Sequence, residues 1–269
     1  MHNPTAGVIF DLFQCLIERN FSYSTQDIRD GYVQIKQALL NDRYERVVFI
    51  LHSQGGIQGG LIIDWLLDEV PQDSMNKLEV YTFGCAANHF NNPRRSLSRQ
   101  RAAEAQANRD GDGPGRSGSN TSTNTKAIRH IEHYANDGDF VAQWGLMHFI
   151  STPERFMGTL FTRPGKGHLL NLHYLHAIFP LDCNKRVLEH NEFMDAPVAF
   201  EPDGQADRRE GLEESLQGEE GDADVMNVNS PVELVSPESP VSRRGTRQMR
   251  RVRDFSRLWG YRNGKSPRD

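Results

Sequence analysis

The sequence predicts an α/β protein whose mostly parallel sheet carries helices on both faces. Three observations support this class. Short apolar segments alternate with amphipathic ones in the order strand, helix, strand, helix, strand. One of these segments, residues 47–51, runs directly into a glycine-rich turn with a serine at its apex. Aspartate and histidine side chains follow two later predicted strands, so the reactive residues gather at strand ends.

The elements of the N-terminal part follow from the spacing of apolar residues. Ser24 or Thr25 is predicted to cap a helix, because apolar side chains behind it recur every three or four positions. Pro71 ends the helix that follows the glycine-rich turn. The elements predicted in this part are an apolar strand at 6–12, the capped helix through Leu40, a strand at 46–52, a helix at 54–69 and a strand at 78–83.

A long polar insertion precedes the second half of the predicted domain. Residues 94–126 are rich in Arg, Ser, Asn, Gly and Thr with almost no aliphatic side chain, which is typical of a disordered insertion between two strands. Beyond the insertion, the pattern predicts a strand at 127–134, an ordered segment at 140–145, a strand at 155–162 and a helix near 171–179.

The chain divides into a folded part and a tail. Residues 1–199 are predicted to form one domain, and residues 200–269 a disordered tail. The tail is acidic over 201–238 and rich in arginine over 243–268, and opposite-sign blocks of this kind usually stay solvated. Cations and aromatics mix near its end, which would suit an acidic partner. A low-complexity terminus explains them more simply, and no nucleic-acid partner is expected.

Composition favours a cytoplasmic protein with part of its chain unfolded. The hydrophobic fraction of the 269 residues is 37% and the mean hydropathy is -0.64, both low for a chain packed throughout. Cys15, Cys85 and Cys183 have neither disulfide nor metal-ligand spacing, which favours a reducing compartment. No signal-peptide pattern is visible, and no apolar run reaches the roughly 20 residues that span a bilayer. The net charge of -5 indicates no particular partner, and the oligomeric state is left open.

The turn after the strand at 46–52 has the layout of a nucleophile elbow. Ser53 stands between an apolar strand and an apolar helical stretch, where a tight turn exposes a hydroxyl above the sheet. Gly55 and Gly56 suit a turn in which a Cβ would collide with the next strand or block the helix. The alternative interpretation is a buried strand that turns into a packed helix, with Ser53 acting only as N-cap.

A serine hydroxyl becomes an effective nucleophile beside a histidine base that a carboxylate orients. Asp137 and Asp139 follow one predicted strand, and His168 lies in a glycine-rich loop after the next. The order serine, acid, histidine predicts a catalytic triad. The alternatives are an ordinary Asp-Gly-Asp turn, with Asp139 as the cap of the helix or turn that follows, and a helix capped by His168. His52 is interpreted as orienting the turn, because it points off the opposite side of the strand from the serine.

Four groups of segments resemble the fungal lipase-like serine hydrolases of the α/β-hydrolase superfamily, close to the DUF676 serine esterases. They cover about residues 5–195 apart from the insertion. The segments are His52-Ser53-Gln54-Gly55-Gly56, Tyr81-Thr82-Phe83-Gly84, His133-Tyr134-Ala135-Asn136 with Asp139-Phe140-Val141, and Gly167-His168 with His173-Tyr174-Leu175. The resemblance implies an α/β-hydrolase fold.

The resemblance also implies one role for each candidate residue. The roles are nucleophile for Ser53, base for His168, orienting acid for Asp139, alternate acid for Asp137, alternate base for His173 and oxyanion donor for the backbone N–H of Gln54. A site of this kind needs no metal or organic cofactor.

Two features depart from the family pattern. Leu51 takes the place of the first glycine of G-x-S-x-G and is expected to crowd the turn. Only about 45 residues precede the nucleophile strand, so the N-terminal strands of the family are expected to be missing. An early loop of the family supplies the second oxyanion donor, and loss of one donor costs roughly 10²–10³ in rate. Either Met1 is a mis-assigned start, or the chain is a truncated relative of an enzyme.

The leading hypothesis is a serine esterase or lipase-like hydrolase. It would cleave the carboxylic ester of a small molecule or lipid through an acyl-serine intermediate. The alternative is a catalytically impaired hydrolase-fold protein that acts as a binding or scaffolding module. A third hypothesis is regulation through the arginine-rich residues 243–268, which would bind an acidic surface.

Overall fold

The fold is organised by a four-stranded parallel sheet with strand order β1-β2-β3-β4. Its strands are β1 (Val47–His52), β2 (Leu78–Phe83), β3 (His130–Gly138) and β4 (Thr159–Lys166). The computed structural model describes residues 8–21, 23–93, 126–152, 155–199, 233–234 and 250–268. The parallel sheet and the helices around it confirm the predicted α/β class.

Helices connect the strands and cover the sheet. In chain order they are α1 (Val8–Phe21), α2 (Gln26–Leu40), α3 (Gly55–Glu69), α4 (Gln72–Met75), α5 (Phe140–Trp144), α6 (Leu146–Phe149), α7 (His176–Ile178) and α8 (Glu192–Asp195). A π-helical turn spans Leu170–Leu175, and 3-10 turns span Val252–Asp254 and Leu258–Gly264. A short antiparallel ribbon pairs β5 (Val198–Ala199) with β6 (Glu233–Leu234). Among the helices described, none is both long and apolar enough to cross a bilayer.

The register of the sheet aligns the strand ends that precede the candidate residues. His52 pairs with Phe83, and Phe83 pairs with Tyr134. β2 has a strand on each side, and all six of its residues are buried, as its nearly continuous apolar and aromatic sequence leads one to expect. Because the four strands are parallel, the turns that leave them begin side by side at one edge of the sheet.

One face of the sheet packs against α2 and α3. Ile28 and Leu39 of α2 and Ile63 and Leu66 of α3 are completely buried, and they join Val80 of β2 in one apolar cluster. The helical spacing of these side chains places them on one stripe of each helix, which is why the stripe turns toward the sheet.

The expected crowding by Leu51 is accommodated by a glycine on α3. The Leu51 side chain is buried, and a Cβ built at Gly59 would lie 2.2 Å from its Cδ1. The leucine therefore occupies the space that the missing side chain of Gly59 leaves open. Leu51 thus takes the place of the first glycine of G-x-S-x-G, and Gly59, six residues after the serine, provides the space that its side chain needs.

The other face of the sheet is covered by the C-terminal segment, residues 250–268, together with residues 170–195. Val252, Leu258 and Trp259 are buried in a cluster that includes Tyr81 of β2 and Tyr134 of β3. These residues had been assigned to a disordered tail, and the structure instead packs them onto the sheet. The arginines around the three apolar side chains obscure this packing signal in the sequence. The rest of the predicted tail, 200–232 and 235–249, lies outside the described residues, as does the predicted insertion at 94–125.

One predicted strand is wrong. Residues 6–12 are predicted to form a strand, but the described part of that segment belongs to α1. A short apolar run does not distinguish a strand from a buried helix, which explains the error. Residues 140–144 of the ordered segment at 140–145 form α5, and the Asp139 side chain caps this helix by accepting from the Val141 N–H at 2.9 Å.

The other predicted elements are present with shifted ends. The strand predicted at 127–134 begins at His130, and the strand predicted at 155–162 begins at Thr159. The helix predicted near 171–179 is divided into a π-helical turn and α7.

The C-terminal segment is attached to the sheet through two buried glutamates. The Arg257 guanidinium donates from Nε to Glu79 Oε1 at 2.8 Å, and its backbone N–H donates to Glu132 Oε1 at 2.6 Å. Tyr134 donates to Glu132 Oε2 at 2.6 Å. Burial raises the pKa of Glu132 to about 7. Burial opposes ionisation of Glu79 as well, but hydrogen bonds from Tyr261, Tyr81 and Arg257 lower its pKa.

The raised pKa of Glu132 leads to a testable pH dependence. The folded state retains the Glu132 proton to higher pH than the unfolded state. Its contribution to stability is therefore complete below about pH 4.5 and is lost as the pH rises to about 7. We expect Glu132→Gln to remove a decline of about 3 kcal/mol in the free energy of unfolding across that window. Urea unfolding of both proteins at several pH values measures the difference.

Glu69→Gln is the matched control for this experiment, because Glu69 is exposed and Lys36 and Tyr32 lower its pKa. Its unfolding free energy should follow the wild-type pH dependence between pH 4.5 and 7. An unchanged slope in Glu132→Gln would contradict the expectation.

Candidate active site

The turn after β1 holds Ser53 in a left-handed backbone conformation. Its φ is 58°, which non-glycine residues rarely adopt. Hydrogen bonds on both sides hold the turn: the Ser53 N–H donates to the Phe83 carbonyl at 3.1 Å, and the Ala86 N–H donates to the Ser53 carbonyl at 3.2 Å. Strain at a single residue persists when its surroundings are this firmly fixed. The apex of the predicted elbow therefore has the expected strained geometry.

Asp139 and His168 meet at the same edge of the sheet, although 28 residues separate them in the chain. His168 Nδ1 lies 2.8 Å from Asp139 Oδ2 and 3.1 Å from Asp139 Oδ1. The Asp139 side chain is 1% exposed and that of His168 is 30% exposed. A carboxylate only accepts, so Nδ1 carries the proton and Nε2 is left with its lone pair. This arrangement makes Nε2 a base.

Tyr174 provides a further contact to the carboxylate. Its hydroxyl donates to Asp139 Oδ2 at 2.5 Å and accepts from the Asn136 N–H at 3.3 Å. Burial alone would raise the pKa of Asp139, but hydrogen bonds from His168 and Tyr174 outweigh it and lower that pKa. The acid therefore stays ionised beside the imidazole. Tyr174 lies in one of the segments that carry the resemblance, but the sequence assigned it no role in the site.

His52 lies against the His168 loop. Its Nε2 is 2.6 Å from the His168 carbonyl oxygen, and the two rings are 4.6 Å apart at an angle of 30°. Since a carbonyl only accepts, His52 donates from Nε2. Burial lowers the pKa of His52, which keeps its ring neutral. His52 thus orients the base loop as well as preceding the serine, and its ring does not point away from the site as the alternation of the strand had suggested.

The two alternate candidates occupy other positions. Asp137 is exposed, and its Oδ1 accepts from the Gly165 N–H at 2.9 Å. His173 Nδ1 accepts from the Leu169 N–H at 2.9 Å, which turns this ring toward the backbone of the loop. The structure therefore brings His168 together with Asp139 and assigns both alternates to holding the β4 loop.

Gly84 gives the Asp139–His168–Tyr174 cluster its space. Gly84 ends β2 with a φ of +52°, and a Cβ there would lie 2.7 Å from Asp139 Oδ2, 3.0 Å from His168 Nδ1 and 3.0 Å from the Tyr174 hydroxyl. The cluster thus rests directly on the Gly84 backbone. Phe83 directly precedes Gly84, and its carbonyl accepts from the Ser53 N–H. One hydrogen bond therefore links the serine turn to the backbone that supports the cluster.

Ser53 completes the edge but is not bonded to the base. Within the described residues, the hydrogen bonds of His168 Nδ1 go to Asp139, and none joins Ser53 Oγ to Nε2. Hydrogen bonds between nucleophile and base are often long in unliganded enzymes and shorten when substrate binds. The structure therefore places the three residues at one edge of the sheet, with no hydrogen bond between serine and histidine in the described residues.

Gln54 is the N-cap residue directly before α3, and the described residues leave its backbone N–H unused. In the described part of the chain, the first helical bonds are donated by Gly56 and Ile57, so no backbone carbonyl accepts from Gln54. Its side-chain amide donates to Glu18 Oε2 of α1 at 2.9 Å. Glu18 was not a candidate in the sequence, because a lone glutamate outside any predicted element or motif gives no signal.

Comparison with known proteins gives no relative for this chain: no family model, curated protein or solved structure matches it. The described residues also contain no group of three His, Cys, Asp or Glu side chains arranged to hold a metal ion. Function is therefore inferred from the geometry of the Asp139–His168 pair and the Ser53 turn.

The packing on Gly84 can be tested by substitution. We expect Gly84→Ala to displace the Asp139–His168 hydrogen bond, because its Cβ would lie within 3.0 Å of both side chains. The far-downfield proton resonance of His168 Nδ1–H, measured by NMR, should disappear.

Gly264→Ala is the control for backbone strain, since Gly264 has a φ of +75° and no atom within 4 Å of a built Cβ. It should cost about 1 kcal/mol of unfolding free energy and leave the resonance in place. Retention of the resonance in Gly84→Ala would contradict the proposed packing.

Proposed function

We propose that this protein is a serine hydrolase with an α/β-hydrolase fold, and that it cleaves carboxylic esters through an acyl-serine intermediate. The observation that carries the proposal is the buried Asp139 carboxylate 2.8 Å from His168 Nδ1, at the sheet edge where Ser53 occupies a strained turn. The candidate nucleophile, acid and base follow β1, β3 and β4 in that order. This order supports the resemblance to lipase-like hydrolases and DUF676 serine esterases.

In this mechanism the Ser53 hydroxyl attacks the ester carbonyl while His168 Nε2 takes its proton. Asp139 stabilises the imidazolium that forms, and Tyr174 and the Val141 N–H keep the carboxylate oriented. His168 then returns the proton to the leaving alcohol. A water molecule, deprotonated by the same imidazole, releases the acid and restores the serine.

The tetrahedral intermediate carries a negative oxygen that needs a donor. The Gln54 N–H follows the nucleophile directly and is not used by the backbone of the described residues. A donor at the start of α3 also benefits from the positive end of the helix dipole. Gln54 therefore keeps the role that the resemblance implies.

Apolar side chains beside the acid and the base support a substrate with an acyl chain. Phe140 follows Asp139 and is 74% exposed, and Leu169 follows His168 and is 60% exposed. Leu172, three residues after Leu169, is 61% exposed. Asp139 and His168 are in contact, and Phe140 and Leu169 directly follow them in the chain. An exposed apolar side chain therefore stands next to each of the two residues, which suits the apolar part of a small or lipid ester.

A non-catalytic binding module is the second candidate function. β1 forms an edge of the four-stranded sheet, and Val48 and Ile50 on it are 42% and 56% exposed. An apolar edge strand is a template for pairing with another chain. The labelling experiment below separates the two functions.

A fluorophosphonate probe tests the nucleophile. We expect the intact protein to be labelled covalently, and Ser53→Ala to show no labelling, because the probe reacts only with an activated serine. Intact-mass measurement counts the adducts, and we expect one per chain. Labelling that survives in Ser53→Ala, or an unlabelled wild type, would overturn the proposal and favour the binding module.

Asp139→Asn tests the acid. The amide can present its N–H₂ to Nδ1 and favour the wrong imidazole tautomer, so we expect kcat for a p-nitrophenyl ester to fall by about 10⁴. Asp137→Asn is the matched control, because the Asp137 side chain is exposed and, among the described residues, accepts from the Gly165 N–H rather than from His168. Its kcat should stay within about threefold of wild type. Equal losses in the two variants would remove Asp139 from the mechanism.

A further inference from the structure

We propose that Glu18 of α1 is a positioning residue for the oxyanion donor, acting through the Gln54 side chain. The inference rests on the serine-hydrolase function proposed above. Glu18 is 0% exposed, and its carboxylate accepts from the Gln54 side-chain amide at 2.9 Å. Gln54 is the residue whose backbone N–H faces the developing negative oxygen in that mechanism.

The partners of Glu18 are all amides. Gln14 Nε2 donates to Oε1 at 2.8 Å, Gln54 Nε2 donates to Oε2 at 2.9 Å, and Gln58 Nε2 lies 3.5 Å from the same oxygen. Within the described ranges, no Lys, Arg or His forms an ion pair with it. A buried carboxylate is costly to leave without partners, so these amide contacts are maintained. Glu18 thereby fixes the first turn of α3 against α1.

The position of Gln54 makes this contact relevant to catalysis. Its side chain could otherwise fold over the start of α3, where the oxyanion must bind. The contact to Glu18 draws the amide to the α1 side and leaves the backbone N–H directed at the substrate. An oxyanion donor is effective only within a narrow range of distance and angle, so a small rotation of this peptide lowers the rate.

The residue next to Glu18 anchors α1 elsewhere and provides a control. The Arg19 guanidinium lies 3.4 Å from the centre of the Trp144 ring and donates to the Trp144 carbonyl at 3.3 Å. Asn88 donates to the Arg19 carbonyl at 3.2 Å. Arg19 therefore attaches α1 to the end of α5 without touching Gln54. Loss of either anchor loosens α1, but only loss of Glu18 releases the Gln54 side chain.

The test compares kcat and KM for a p-nitrophenyl ester in five variants. We expect Glu18→Leu to lower kcat about tenfold with KM within about twofold, because a misdirected donor costs less than a deleted one. Gln54→Met, which keeps the backbone N–H and the length of the side chain, should show a similar loss. The double variant should be no slower than either single variant, since both remove one contact. Glu18→Gln retains an acceptor for Gln54 and should stay within about threefold of wild type.

Arg19→Met is the fifth variant. It should lower the melting temperature about as much as Glu18→Leu while leaving kcat within about threefold. If Glu18→Leu does not fold, the Gln54→Met and Glu18→Gln results decide the question: a tenfold loss and a rescue, respectively, support the inference.

Three outcomes would overturn the positioning role. They are an unchanged kcat in Gln54→Met, losses that multiply in the double variant, and an equal loss in Arg19→Met. In each of these cases the wild-type protein still hydrolyses the ester and is labelled at Ser53, so the proposed function would stand. A wild type that neither labels nor hydrolyses would overturn the function and the inference together.

Discussion

The hydrogen bond between Asp139 and His168 is the interaction on which the site depends. It joins the turn after β3 to the loop after β4, and it sits on the backbone of Gly84 at the end of β2. The carboxylate is buried, so it needs every donor around it, and Tyr174 and the Val141 N–H supply two of them. The same contacts that satisfy the buried charge therefore fix the orientation of the His168 imidazole.

The sheet makes this convergence possible through its parallel order. Each strand delivers its next residues to the same edge, so Ser53, Asp139 and His168 share one edge with 114 residues of chain between the first and the last. Helices α2 and α3 cover one face. The C-terminal segment covers the other, where Arg257 holds two buried glutamates. That polar attachment fixes the orientation of a segment whose apolar contribution is only a few side chains.

Local pattern predicted the elements with strong periodicity. The strand at 47–52, the helix behind it and the strand at 78–83 lie where their apolar spacing placed them, because each is buried along its whole length or on one clear face. The strand predicted at 6–12 was wrong because its apolar run is short. The cap by Asp139 makes the segment after it a helix. Local pattern could not predict that residues 250–268 pack on the sheet, since this packing depends on Glu79 and Glu132, which lie far away in the chain.

The sequence alone determined the α/β class, the serine turn and two candidates each for the acid and the base, because these follow from local spacing and from the chemistry of the side chains. Tertiary structure decided between Asp139 and Asp137 and between His168 and His173. It also revealed the contacts of Tyr174 with Asp139, of His52 with the His168 carbonyl and of Glu18 with Gln54, none of which the sequence predicts. The physical reason is that a hydrogen bond across the fold depends on distances of a few tenths of an ångström, which no spacing along the chain encodes.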